Sequence, residues 1–245
     1  MSTQRLDLVL VKRGLAESRA KAQALIMAGK VRSGERRLDK PGQPVAADIE
    51  LSLDQPEHPW VSRGGQKLAH GLDHFALPAQ GLTCLDVGAS TGGFTDVLLQ
   101  AGAARVYAVD VGHGQLDWRL RQDERVVVLE RTNARYLTFE QVPEAVQAVV
   151  CDASFIGLRT VLPAALALAA PGAWLVALVK PQFEVGRDKV GKGGVVRDPA
   201  LHEWACDTIA GWLGEQGWTA LGVTQSPITG PKGNVEFLIA ARKPD

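Results

Sequence analysis

Apolar runs at residues 82–87, 105–111, 126–130, 147–151 and 173–179 are separated by helix-length segments, with turn residues at the joins. The alternation predicts strands and crossover helices in turn, and so a mostly parallel α/β sheet. A helical stretch over 199–216, then strands over 218–225 and 234–241 with Pro and Gly between them, predict an antiparallel pair at the end of that sheet. The first forty residues read differently. Leu6, Val9 and Leu10 recur at helical spacing before Gly14, and Ser18 is placed to cap a second helix with Ala22, Leu25 and Ile26 inward and Gly29 closing it. KVRSGERRLDKPGQPV then predicts short strands around a Ser33-Gly34 turn, with Arg32, Arg36, Arg37 and Lys40 projecting from them. The Pro- and Gly-rich stretch DQPEHPWVSRGGQKL reads as a linker and puts a boundary near residue 60, between a small α+β module over 1–60 and a larger α/β domain over 61–245. Gly186 to Gly194 is expected to form a mobile loop in the larger domain.

Composition changes this picture only through its asymmetry. A chain of 245 residues with 46% apolar and 22% charged residues is a globular protein able to bury a core, which excludes the disordered classes. The formal net charge is zero, yet residues 1–40 hold ten Lys and Arg against four Asp and Glu, while the rest holds 17 against 23. The small module alone therefore carries the electrostatic footprint of a polyanion binder. Cys84, Cys151 and Cys206 are odd in number and far apart, with neither a disulfide framework nor metal-type spacing, so a reduced, cytoplasmic setting is expected. The N-terminus has no cleavage-site pattern and no window approaches 18 uncharged apolar residues, so neither export nor a membrane role is indicated.

The strongest local signal is LDVGASTGGF, where an apolar run ends in Asp86 and passes through Gly88, Gly92 and Gly93 into a helix. Glycines let the backbone turn sharply and let a ligand approach closely. The dinucleotide pattern G-x-G-x-x-G is broken at Ser90, which disfavours a pyrophosphate. Asp110 ends the next strand 22 residues beyond Gly88, where a carboxylate can bind ribose hydroxyls, so an adenosine-containing ligand is implied. The same residues spell Gly88-x-Ser90-x-Gly92, the nucleophile elbow of serine hydrolases, with His202 as a downstream base. Position argues against that reading, because the elbow serine follows several strands and Ser90 follows the first of its domain. Four further segments carry conspicuous polar residues: VSRGGQKL with Lys67, CDASFIGL with Asp152, LVKPQFEVGRDKVGKGGVVRDP with Lys180 and GPKGNVEFL with Glu236. Asp152 and Lys180 end consecutive strands, so both should reach the carboxyl edge of the sheet, where open α/β folds bind ligands.

Residues 5–42, RLDLVLVKRGLAESRAKAQALIMAGKVRSGERRLDKPG, resemble the S4 domain, a small RNA-binding module. If the module binds RNA, Arg5, Arg13, Arg19, Lys21, Lys30, Arg32, Arg36 and Arg37 are the candidate phosphate contacts. Nearly the whole chain resembles the TlyA or hemolysin A family of S4-domain rRNA 2'-O-methyltransferases, related to the FtsJ type, most specifically through KPQFEVGRDKVGKGGVVRDP. Ala153 and Gly157 depart from the family pattern and leave Asp152 untouched. The resemblance implies a Rossmann-like methyltransferase domain with a mostly parallel seven-stranded sheet, S-adenosyl-L-methionine as cofactor, and a cytidine ribose of ribosomal RNA in a ribosomal subunit as target. It implies a catalytic tetrad of Lys67, Asp152, Lys180 and Glu236. The expected cofactor contacts are the backbone of Gly88, Ala89, Ser90, Thr91 and Gly92, Asp110 on the ribose, Asp152 near the methionine part, and Asn133 of ERTNARYL beside the adenine.

The chemistry gives a reason for these residue types. A ribose hydroxyl is a very weak acid, and a lysine with a pKa near its ordinary value of about 10 is a poor base at neutral pH. A second lysine nearby would lower that value, which is a reason to pair Lys67 with Lys180. Lys180 is then expected to accept or orient the hydroxyl proton, with Lys67 tuning it and Asp152 and Glu236 holding both lysines. No metal is called for. Two alternatives remain at this level: a non-catalytic RNA-binding protein that kept the fold, and a membrane-acting hemolysin.

Overall fold

The computed structural model describes residues 3–53 and 58–245, in two compact units, Met1–Pro59 and Trp60–Asp245. The linker expected from DQPEHPWVSRGGQKL begins on residues 54–57, which lie outside the described residues.

In the first unit, β1 (Thr3–Arg5) leads into α1 (Leu6–Lys12), and α2 (Arg19–Met27) follows, with the Ser18 hydroxyl accepting the Lys21 N–H at its start. Strands β2 (Val31–Ser33) and β3 (Arg36–Arg37) flank the Ser33-Gly34 turn. β4 (Pro44–Ala46) pairs with β1, and β5 (Ser52–Leu53) completes a three-stranded sheet of order β3-β2-β5. Leu6, Val9, Leu10, Ala22 and Ile26, inward as helical spacing predicts, form the core with Val31 and Val45 of the strands, and Leu25 packs against it partly buried.

The second unit opens with α3 (Gly64–His74) and then alternates: β6 (Thr83–Val87), α4 (Gly93–Gln100), β7 (Arg105–Val109), α5 (Trp118–Arg121) and β8 (Val126–Leu129). The second half runs β9 (Val146–Cys151), α6 (Leu158–Val161), α7 (Pro163–Ala167), β10 (Ala169–Val179), α8 (Pro181–Glu184), α9 (Pro199–Glu215), β11 (Thr219–Gln225) and β12 (Phe237–Arg242). Together the strands form one seven-stranded sheet of order β11-β12-β10-β9-β6-β7-β8. β8, β7, β6, β9 and β10 pair in parallel, whereas β12 runs antiparallel to both β10 and β11. Alternate residues of the central strands enter opposite cores. Leu85, Val87, Val149, Cys151 and Leu175 pack with α6, α7 and α9, while Cys84, Val106, Ala148, Val150 and Val176 pack with α3 and α4. Both faces are covered, which is why these strands read as nearly continuous apolar runs.

The 186–194 segment holds a short 3-10 turn, Arg187–Lys189, and an isolated bridge between Gly191 and Val195. All three cysteines are free and buried. Among the described residues no helix is long and apolar enough to cross a membrane, and no group of His, Cys, Asp or Glu could hold a metal ion.

Candidate active site

Strand order reverses between β6 and β9, and the crevice outside their carboxyl ends is where such sheets bind ligands. Both exits meet there. The Asp152 N–H donates to the Val87 carbonyl at 3.1 Å, and a Cβ on Gly88 would lie 3.0 Å from the Cα of Ala153. With φ at +84° as well, only glycine fits position 88 without displacing the segment that carries Asp152.

Two cavities open on this seam. One, of about 570 Å³, is lined by Val87, Val109, Val111, Ala134, Ile156 and Val161, with Asp110, Thr132 and Asn133 among its polar groups. The other, of about 300 Å³, is lined by Ser62, Arg63, Lys67, Ser154, Lys180 and Glu236. Gly88, Ser90, Asp152 and Ser154 line both. The size and mixed lining of the larger cavity suit a nucleoside. Asp110 is preorganised there: its oxygens accept the Ser90 N–H at 2.8 Å and the Gly112 N–H at 2.6 Å, leaving lone pairs for hydroxyl groups. An apolar slot beside a fixed carboxylate is what the adenosyl part of S-adenosylmethionine requires, so the residues present fit that group.

The sequence-expected residues divide by placement. Gly88, Ala89, Ser90 and Thr91 line the cavities, whereas Gly92 does not. A Cβ on Gly92 would lie 2.2 Å from Leu120 Cδ1, and its φ is +96°, so its task is to start α4 against the Leu116 and Leu120 side chains. The neighbouring Gly93 lines the smaller cavity instead. Asn133 borders the larger cavity, and its carboxamide oxygen accepts the Arg135 N–H at 3.2 Å, capping the Ala134–Tyr136 turn. The Ser90 hydroxyl donates to Gln115 at 3.2 Å, while the His202 ring bonds the Val196 carbonyl at 2.9 Å. These contacts form no hydrolase triad.

Lys67, Asp152, Lys180 and Glu236 converge, although they come from α3, the end of β9, the end of β10 and the start of β12. The Lys67 ammonium lies 2.7 Å from Glu236 Oε2 and 3.3 Å from Asp152 Oδ2. The Lys180 ammonium lies 2.6 Å from Asp152 Oδ1 and donates to the Ser154 hydroxyl at 2.8 Å and the Asp152 carbonyl at 3.3 Å. Asp152 therefore joins the two lysines, and Glu236 contacts Lys67. Two ammonium groups repel, and a carboxylate between them attracts both. Lys67, Lys180 and Glu236 are only 7%, 5% and 1% exposed, so their alternating charges are held in a largely dry setting. Gly230 makes room for this, since a Cβ there would fall 2.2 Å from Glu236 Oε1.

Behind the seam lies Asp86, fully buried. Its Oδ2 accepts the Thr95 hydroxyl at 2.7 Å, and its Oδ1 has no hydrogen-bond partner. Burial, with smaller help from the charges of Asp152 and Asp110, pushes its pKa up to about 7 against the pull of the Thr95 hydrogen bond.

The sequence reading missed Ser154, Ser62 and Phe155. Ser154 stands two residues after Asp152 in DASF, and a polar residue following a strand-end carboxylate was the available signal. Phe155 is 91% exposed at the rim of the larger cavity, a placement no pattern announces.

Comparisons with known proteins identify the domain families of both units. Residues 60–243 match the FtsJ-like methyltransferase family, and residues 4–48 match the S4 domain. The chain is 53% identical over 239 residues to the 16S/23S rRNA (cytidine-2'-O)-methyltransferase TlyA of Mycobacterium tuberculosis, covering 97% of this chain and 89% of that protein. A solved structure titled as a candidate hemolysin from Streptococcus thermophilus is similar at a TM-score of 0.77 and 43% identity, over 100% of this chain and 90% of that one. The N-methyltransferase NodS of Bradyrhizobium japonicum, solved with S-adenosyl-L-homocysteine, shares the fold at a TM-score of 0.54 and 18% identity, over 78% of this chain and 94% of that one. The chain belongs to the TlyA family, in which an S4 domain precedes an FtsJ-like methyltransferase domain.

Proposed function

We propose that this protein transfers a methyl group from S-adenosylmethionine to a ribose 2'-hydroxyl of ribosomal RNA, at a cytidine. The observation that carries the reading is the chain Glu236–Lys67–Asp152–Lys180–Ser154, which lines a small cavity continuous with the nucleoside-sized one. The substrate named for the Mycobacterium tuberculosis relative and the S4 match support the ribosomal RNA and cytidine parts. They also support a cytoplasmic setting, where ribosomal subunits are met.

When bound, S-adenosylmethionine supplies a methyl group activated on a positively charged sulfur. The residues do the rest. The Gly88–Thr91 backbone admits the cofactor, Asp110 takes its ribose hydroxyls, the valine-lined slot takes its adenine with Asn133 alongside, and Asp152 stands nearest the methionine part. Lys180 receives the target hydroxyl. Its 3.3 Å contact to the Asp152 carbonyl is the longest of its three, and is the one the ribose oxygen replaces. Lys180, as the neutral amine left once its ammonium has given a proton to solvent, then orients the hydroxyl and takes up its proton as the oxygen gains the methyl group, while Lys67 and Glu236 fix Asp152 from the other side. Holding the oxygen in line with the methyl group accounts for most of the rate.

Incubation with ribosomal subunits and labelled S-adenosylmethionine, followed by mapping of the modified nucleotide, tests this. A 2'-O-methylated cytidine is expected. Lys180→Ala should lower transfer by about 100-fold or more with cofactor affinity nearly intact by calorimetry; a Lys180→Ala variant with wild-type turnover overturns the role given to Lys180. A complete and converging tetrad speaks against a binding protein that has lost its chemistry.

A further inference from the structure

Two short segments present the reactive groups: residues 152–158 after β9 and residues 180–184 after β10. They run side by side and touch at three successive places. Lys180 donates to Ser154 at 2.8 Å, the rings of Phe183 and Phe155 lie 5.6 Å apart, and Glu184 Oε1 accepts the Leu158 N–H at 2.8 Å. The last contact is unusual in its source. Gly157 precedes α6 and has no side chain with which to cap it, so the helix start is capped by a carboxylate 26 residues further along the chain. The approach is close. A Cβ on Gly157 would lie 3.1 Å from Glu184 Oε2 and 3.2 Å from the Phe183 carbonyl.

Glu184 is buried, lines neither cavity and has no part in the Lys–Asp–Lys–Glu chain. Burial raises its pKa, against the Leu158 hydrogen bond and the charge of Arg159. A buried carboxylate needs a reason, and the segment it grips supplies one. Phe155 holds a φ of +67°, a conformation that a phenylalanine rarely adopts and that persists only where its surroundings impose it. That residue sits between Ser154, on the Lys180 ammonium, and Leu158, on Glu184.

We propose that Glu184 is a positioning residue: by capping α6 across Gly157 it holds Asp152 and Ser154 in register with Lys180. The inference rests on the methyl-transfer reading for its kinetic consequence and on geometry alone for the clasp itself. Glu184→Gln keeps an acceptor oxygen for the Leu158 N–H, and Glu184→Ala removes it.

In the whole chain, Glu184→Ala is expected to lower kcat by roughly ten- to a hundredfold, as misplacement of reacting groups does. KM for S-adenosylmethionine and calorimetric affinity for S-adenosylhomocysteine should stay near wild type, and Glu184→Gln should keep most of kcat. Pulse labelling with acetic anhydride, read by mass spectrometry, reports on the clasp without any RNA: Lys180 should label faster in Glu184→Ala than in wild type or Glu184→Gln. Unchanged kcat and unchanged Lys180 labelling in Glu184→Ala would overturn the proposal. So would a Gln variant as impaired as the Ala variant, or a loss that falls equally on cofactor affinity. If wild type methylates no ribosomal RNA, the functional reading fails while the labelling still decides the clasp.

Discussion

Asp86, one residue before the end of β6, is a fully buried carboxyl with one oxygen on Thr95 and the other without a hydrogen-bond partner. Its pKa near 7 lies far above the ordinary value of about 4. Between those two values the folded chain holds a proton that the unfolded chain has released. The contribution of Asp86 to stability is therefore fully present below about pH 4 and is lost as pH rises toward 7. Asp86→Asn carries no such dependence. Thermal denaturation of both proteins from pH 5 to pH 8 should show the Asn variant gaining on wild type by roughly 1–3 kcal/mol, and a difference that does not change with pH would refute the account. At this scale the sequence marked Asp86, Asp110, Asp152 and Lys180 by their positions at strand ends. It could not show that Asp152 lies between two lysines, because that contact joins residues 85 and 28 positions apart.

Among elements, the turn from β6 into α4 uses its glycines for different tasks. Gly88 admits the backbone of Ala153 and borders both cavities, whereas Gly92 admits Leu120 and borders neither. Gly88→Val should therefore abolish cofactor binding measured by calorimetry. Gly92→Ala should first cost stability, by about 1–3 kcal/mol, through its positive φ and the clash with Leu120. A Gly92→Ala protein that melts like wild type yet binds no cofactor would reverse these assignments. The strands of the sheet were legible because both faces are covered, and α9 because Asp198 caps it ahead of Pro199. Helix α3 was not. VSRGGQKL reads as linker because Gly64 and Gly65 are poor helix formers, yet Gly65, and Gly71 further along, let α3 lie against Trp60 and Val176, where a Cβ would fall 2.6 Å and 3.2 Å away.

On the scale of the whole molecule, three exposed arginines of the basic first unit make structural contacts. Arg5 and Arg19 contact the fully buried Asp7 at 2.9 Å and 3.0 Å, and the Arg5 hydrogen bonds do most to hold that carboxyl well below the usual carboxylate range. Arg13 donates to the carbonyls of Ile49 and Ala47. Lys21, Arg36 and Arg37 are exposed as well, and Lys30 and Arg32 are half-buried. Replacing Lys21, Arg36 and Arg37 by Gln should weaken RNA binding and flatten its dependence on the logarithm of salt concentration by about 0.7 for each phosphate no longer neutralised, with the melting temperature kept. Arg19→Gln should instead lower stability by about 1–3 kcal/mol, because Asp7 loses a charged partner. Filter binding across a salt series separates the two outcomes; an unchanged slope in the triple variant would remove these residues from the RNA surface.

By itself the sequence determined whatever depends on local periodicity and on the types of neighbouring residues. That includes the alternation of strands and helices, the basic amino-terminal module, the glycine turn with its carboxylate one strand further on, and four polar positions at segment ends. Only the tertiary structure decided how those positions meet. Strand order, which places β9 beside β6 and brings Asp152 to Gly88, follows from how helices cover both faces of the sheet, and no stretch of chain encodes it locally. Capping of α6 by Glu184 and the bridging of two lysines by one carboxylate are likewise contacts between distant segments, fixed when burial forces charged groups to find partners.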